Sequence, residues 1–183
     1  VFSVSATKQV TFSPGNLQYT QSTNTWSFAS AQWEMLGTDN VTGGSVESDP
    51  TNGGYSKDGD ALADKVDLFG WSTSATNFGV STSTDYNDYS GSFVDWGTNK
   101  IGNDAPNTWR TLTNDEWNYL RNARTNASSL KGVAQVNGVN GLIFLPDTWV
   151  CPEGITFKSG FHSSYGADCY AAYQTFTAEQ WSK

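Results

Sequence analysis

Histidine and methionine occur once each in these 183 residues, cysteine twice and proline five times, and charged residues make up only 15%. With His162 as the sole histidine and no Cys-x-x-Cys or His-x-x-x-His spacing, the chain carries no zinc motif. No run of about 20 apolar residues is present, which argues against a membrane-spanning helix in this chain. Basic residues are scarce too, ten Lys and Arg against eighteen Asp and Glu, for a formal charge of -8. A chain without a basic face cannot neutralise phosphates, so nucleic acid is an unfavourable partner. The imbalance is local: residues 39–104 hold eleven acidic against three basic residues, and the remainder is balanced at seven of each sign.

Apolar residues reach only 37%, so any core must come from few, large side chains. Eight Trp, eight Tyr and ten Phe supply them, each able to bury about 150–250 Å². Gly, Ser, Thr and Asn fill much of the rest, a composition of short strands, many turns and ordered loops rather than of a disordered linker. The length suits one domain spanning residues 1–183. The chain opens VFSVSATKQV, with neither an initiator methionine nor the start of a signal peptide, and is expected to be a segment of a longer protein.

Phe2, Val4, Ala6, Lys8, Val10 and Phe12 alternate as one face of an N-terminal strand that runs into a Pro14-Gly15 turn. A short helix is expected from Ala31 to Leu36, ended by Gly37. Between Gly37 and Pro106 a long loop region is anchored by Leu62, Val66, Leu68, Phe69, Trp71, Phe78, Phe93, Val94 and Trp96. The strongest local signal is WRTLTNDEWNYL, Trp109 to Leu120. Thr113 is an N-cap, Glu116 its capping-box partner, and Leu112 with Trp117 occupy the hydrophobic-staple positions. FTAEQW repeats the device with Thr177, Gln180, and Phe176 against Trp181. The first helix is expected from Asn114 to about Thr125, burying Trp117, Leu120 and either Ala123 or the stem of Arg124. GVNGLIFLP then predicts a turn at Asn140-Gly141 and a fully buried strand from Leu142 to Leu145, stopped by Pro146, with a further turn at Pro152-Glu153-Gly154.

Few residues suggest catalysis. His162, Ser163 and Asp168 make a triad only on paper, and a solvent-facing turn histidine is the better reading. Asp58 with Asp60, or Asp85 with Asp88, could bind calcium or serve glycoside hydrolysis, but KDGDALAD lacks the EF-hand positions and surface solvation accounts for such clusters. Cys151 and Cys169 are either a disulfide, closing a loop of about 18 residues worth ~3 kcal/mol, or two unlinked thiols. A binding role has better support. Tyr86, Tyr89 and Trp96, with Asp85 and Asp88, combine rings that stack on sugars or proteins with carboxylates that accept from hydroxyls. Trp71 and Trp96 compete for a different role, pinning loops to the core. Arg110 is placed to brace a carboxylate such as Asp147.

The ordered set FSPGNLQY, QWEMLG, DLFGWST, DWGTN, WRTLTNDEWNYL, NGVNGLIFLPD and PEGITF resembles a repeated family of secreted and surface proteins of gut Bacteroidetes, similar to the Fibrobacter succinogenes major paralogous domain. LTNDEW is also similar to a signature of formylglycine-generating enzymes. The resemblance covers nearly the whole chain and implies an α+β, C-type-lectin-like domain with two short helices, a small antiparallel sheet and long ordered loops. It implies that the family's closing C-terminal strands lie outside this chain or come from a complementing segment. The implied role is extracellular: non-enzymatic recognition or adhesion at a bacterial surface, toward a glycan first and a protein second, with no cofactor expected beyond the calcium that the aspartate pairs could bind. The alternatives are a structural module of a multidomain surface protein or pilus and, more remotely, a formylglycine-generating-type oxidase. That oxidase chemistry needs paired cysteines and copper, and Cys151 and Cys169 do not sit in the family's catalytic motifs.

Overall fold

The computed structural model describes residues 1–34, 65–67, 69–70, 91–161 and 169–183. The fold is α+β, built of small sheets and few, short helices. The chain, expected to form one domain over residues 1–183, divides by its internal contacts into two compact units, Val1–Phe12 with Leu112–Lys183 and Ser13–Thr111.

In the first unit, β1 (Phe2–Ser3) and β2 (Gln9–Val10) form an antiparallel ribbon with Phe2 opposite Val10. The continuous N-terminal strand expected from alternation is therefore a hairpin. Its reversal is local: the N–H groups of Val4 and Ser5 both donate to the Lys8 carbonyl, at 2.9 and 3.3 Å, and the Ser5 hydroxyl accepts from Thr7 N. Polar Ser, Thr and Lys offer the backbone this alternative to an extended run. Phe2 and Ser3 thus pair with Val10 and Gln9, and Asp147 N adds a bond to the Val1 carbonyl.

Helix α1 (Asn114–Asn118) starts as its sequence dictates. Thr113 Oγ1 accepts from Glu116 N at 3.2 Å, and Glu116 Oε2 accepts from Thr113 N at 3.0 Å. Its continuation, Tyr119–Ala123, is a π turn in which Arg124 N donates to Tyr119 O, five residues back. The wider turn changes the inward face. Leu120 is fully buried and Arg124 is 3% exposed, whereas Trp117, expected inside, is 37% exposed and Ala123 lies on the surface. Leu112 and Trp117 do occupy the positions flanking the cap, with Trp117 lying against Phe12 and Phe144 at ring-centroid distances of 5.9 and 6.1 Å.

The sheet of this unit has the order β7 (Val139–Phe144), β6 (Lys131–Val136), β8 (Thr175–Phe176). β6 is antiparallel to β7 and parallel to β8, so the sheet is mixed rather than wholly antiparallel. The central strand is KGVAQV, with Gly132, Val133, Ala134 and Val136 buried, a segment without a strong strand signature. The strand that the apolar run predicts is β7, but as an edge strand it buries only Ile143. The hairpin between them turns at Asn137-Gly138, not at Asn140-Gly141, which lie in β7 opposite Gln135 and Ala134. Asn137 and Gly138 take φ of 48° and 86°, the positive pair that a two-residue type I′ turn requires. The same dipeptide occurs twice within five residues, and only the first leaves KGVAQV a partner. Gly138→Ala is accordingly expected to cost about 1 kcal/mol or more in urea unfolding, whereas Gly141→Ala, with open space around its missing Cβ, should be tolerated.

Helix α2 (Cys169–Tyr173), beyond the two helices expected, precedes Gln174, a buried amide that joins three segments. Its Nε2 donates to the Val133 and Lys158 carbonyls, both at 2.8 Å, and its Oε1 accepts from Lys158 N at 2.9 Å. Helix α3 (Ala178–Trp181) carries the second capping box, Thr177 with Gln180, at 3.1 and 2.9 Å. The predicted turn at Pro152-Glu153-Gly154 is closed by Ile155 N donating to Pro152 O at 3.1 Å.

In the second unit, β3 (Leu17–Thr20) lies between β4 (Thr25–Phe28) and β5 (Lys65–Val66), all antiparallel. Leu17 opposite Phe28 and Tyr19 opposite Trp26 give the sheet an apolar face. Residues 31–34 of the expected Ala31–Leu36 helix form a single turn, with both carboxylate oxygens of Glu34 holding Ser30 through its N–H and hydroxyl, at 2.8 and 2.7 Å. These bonds hold the Glu34 carboxyl below its usual pKa. The rest of that segment lies outside the described residues.

Candidate functional site

Of the residues expected to meet a ligand, Asp85, Tyr86, Asp88 and Tyr89 lie outside the described residues, as do Asp58, Asp60, Trp71, His162, Ser163 and Asp168. Trp96 is described, and it is buried. Its ring is 5.8 Å from that of Trp26 and 5.3 Å from that of Phe69, and its Nε1 donates to the Gly70 carbonyl at 3.2 Å. A ring so enclosed pins its loop to the unit and does not serve as a ligand platform. Asp95 fixes the same turn, the short 3-10 helix Trp96–Thr98. Its Oδ1 accepts from Gly97 N at 2.9 Å, from Thr111 N at 3.2 Å and from Thr111 Oγ1 at 3.3 Å.

A different tryptophan of this unit combines a ring with a carboxylate at the surface. Trp109 is half-buried, with its ring edge-to-face on Phe28, centroids 4.9 Å apart at 74°. Its Nε1 donates to Asp104 Oδ2 at 2.8 Å, and Asp104 is exposed. Two turns carry the pair. Ile101, 3% exposed, anchors the first by a bridge to Trp26, and Asp104 N donates back to its carbonyl at 3.0 Å. Pro106 and Asn107, the latter at φ 66°, form the second, closed by Thr108 N donating to Ala105 O at 3.1 Å, and Asn107 N donates to Gly97 O at 2.9 Å. The exposed side-chain amides of Asn103 and Asn107 make no hydrogen bond among the described residues. Loop residues that are backbone-locked, with exposed polar groups on the turns that carry a partly open ring, could bind a ligand with little ordering cost. In the sequence this site was visible only as the start of a helix signature.

The structural residues fall in the first unit. Glu116 completes its box and accepts from Lys8 Nζ at 2.9 Å through its second oxygen. Asp147 is braced by Arg124, not by Arg110, whose guanidinium donates to the Thr111 carbonyl. Arg124 Nη1 binds Asp147 Oδ1 at 3.0 Å, and Asp147 Oδ2 accepts from Ser3 at 2.7 Å and Gln9 at 3.1 Å. Cys151 and Cys169 are free thiols, with the exposed Cys151 donating to the Ile155 carbonyl at 3.3 Å. Among the described residues no three His, Cys, Asp or Glu cluster as metal ligands, and no helix is long and apolar enough to cross a membrane. Comparisons with models of known protein families, with curated proteins and with solved structures return no match.

Proposed function

We propose that this chain is a non-enzymatic recognition or adhesion domain of a bacterial cell surface, of C-type-lectin-like architecture, with a glycan as its first ligand class and a protein as its second. The ordered motifs from FSPGNLQY to PEGITF support the family and the extracellular setting. The observation that carries the ligand class is the surface pairing of the Trp109 ring with the Asp104 carboxylate on a locked loop. Sugars offer apolar C–H faces to rings and hydroxyl donors to carboxylates, and this pair supplies both partners.

A second reading, a structural module without its own ligand, is favoured by another observation. Glu34, Asp95, Glu116 and Asp147 all spend their oxygens on internal ties. Arrays of plant, mucin and microbial glycans probed with the 183-residue chain separate the two. Selective binding to a related group of glycans is expected, with Tyr86→Ala and Tyr89→Ala variants run alongside. Uniformly blank arrays would favour the structural module.

A further inference from the structure

Resting on the glycan reading, we infer that the Trp109–Asp104 pair is a calcium-independent subsite for a neutral pyranose. Three features give it that chemistry. The indole N–H is already satisfied by Asp104 Oδ2 at 2.8 Å, so the ring presents apolar surface without a dangling donor. Phe28 meets the ring edge-to-face at 4.9 Å and holds its orientation, leaving a half-buried platform against which a sugar's C–H face stacks. Exposed Asp104 stands at the polar edge of that platform, where a carboxylate oxygen accepts from a sugar hydroxyl. The amides of Asn103 and Asn107, on the same two turns, supply further donors and acceptors.

Calcium bridging is disfavoured by where the N–H groups point. The cation takes six to eight oxygen ligands, most usefully carboxylates free of donors. On this loop Asp104 accepts from the indole, and Asp95 accepts from Gly97 N, Thr111 N and Thr111 Oγ1. With these oxygens engaged and no three potential metal ligands clustered among the described residues, hydroxyls are bound directly. The charge of the chain selects further. A formal net charge of -8 repels uronic, sialylated or sulfated glycans and leaves neutral ones.

The test is calorimetric titration of the 183-residue chain with cellohexaose, xylohexaose, laminarihexaose and mannohexaose as neutral probes and an oligogalacturonate as the acidic one, in calcium and in EDTA. At least one neutral probe should bind, the oligogalacturonate should not, and EDTA should change nothing. Trp109→Ala should weaken binding about tenfold or more. Asp104→Asn, which removes charge without volume, should weaken it about fivefold. Trp109→Phe keeps a ring against Phe28 and guards against a folding defect, and its affinity should fall between those of the parent and the alanine variant. Neutral-probe binding that survives both Trp109→Ala and Asp104→Asn would overturn this subsite while leaving the glycan reading intact. Binding lost in EDTA would overturn the direct-hydroxyl mode. An absence of binding to any glycan would overturn the glycan reading and the subsite together.

Discussion

Replacing Arg124 by alanine is expected to destabilise the first unit by about 3–5 kcal/mol, the scale for breaking a buried ion pair from one side. The guanidinium is 1% exposed and sits where four segments meet. Nη1 donates to the Leu145 carbonyl at 2.8 Å and to Asp147, Nη2 donates to the Leu130 carbonyl at 3.1 Å, and the charge lies 5.8 Å from the centre of the Phe2 ring. Truncation would leave two carbonyls and a carboxylate short of a donor in a largely buried site. Lysine would not restore them, because a single ammonium cannot reproduce the planar fork that serves these acceptors. Asp147→Ala should cost about 3 kcal/mol by leaving the guanidinium buried without its counter-charge. The double variant should lose less than the two single losses combined, by about 1–3 kcal/mol, because the partners are in direct contact. Urea unfolding checks all three, and a cost below about 1 kcal/mol for Arg124→Ala would place the pair with solvated surface bridges instead.

The same pair sets an acid limit. Burial raises the Asp147 pKa and is the largest single influence, but bonds from Ser3, Arg124 and Gln9 together outweigh it, and the net direction is down from the ordinary 3.8. A folded-state pKa below the unfolded one means that the unfolded chain binds the proton more readily. The stabilisation is therefore complete above the ordinary carboxylate value and is lost as pH falls through the lower, folded one. Asp147→Asn should flatten that part of the acid limb while leaving the neutral-pH dependence unaltered.

What the sequence reveals, and what it hides, divides by distance along the chain. The caps at Thr113 and Thr177 are legible because four consecutive residues contain every atom involved, and both capping boxes form. The Pro152–Gly154 turn is legible for the same reason. The hairpin turn is not, because Asn137-Gly138 and Asn140-Gly141 are locally equivalent and the choice rests on whether KGVAQV finds a partner. That segment is central because it is paired along both edges, by β7 on one side and by Gly160 and β8 on the other. Asp147 meets Arg124 rather than Arg110 because the π turn carries residue 124 inward, which hydrophobic periodicity does not encode. Trp96 shows the limit for function: composition marks an aromatic beside an aspartate, but only packing separates a buried pin from a half-buried ring such as Trp109.

Gly97→Ala should be a severely damaging methyl group in the second unit, at about 3 kcal/mol or more. A Cβ at this position would stand 2.0 Å from the Trp109 carbonyl oxygen, 2.5 Å from its carbon and 3.0 Å from Arg110 Cα. All three are backbone atoms, so no side-chain rotation relieves the clash. The segments that would have to part are tied twice over, by Asn107 N donating to Gly97 O at 2.9 Å and by Asp95 holding both Gly97 and Thr111. Gly102 provides the contrast on the same loop. It sits at φ 57° with open space around its Cβ position, so Gly102→Ala meets conformational strain alone, about 1–2 kcal/mol. Urea unfolding should therefore rank Gly97→Ala well below Gly102→Ala, and equal midpoints would sink the close-packing explanation. Because the clash displaces the backbone that carries Trp109, Gly97→Ala should also weaken neutral-glycan binding even though it alters neither Trp109 nor Asp104. A variant that loses stability yet keeps full affinity would mean that the ligand is held elsewhere.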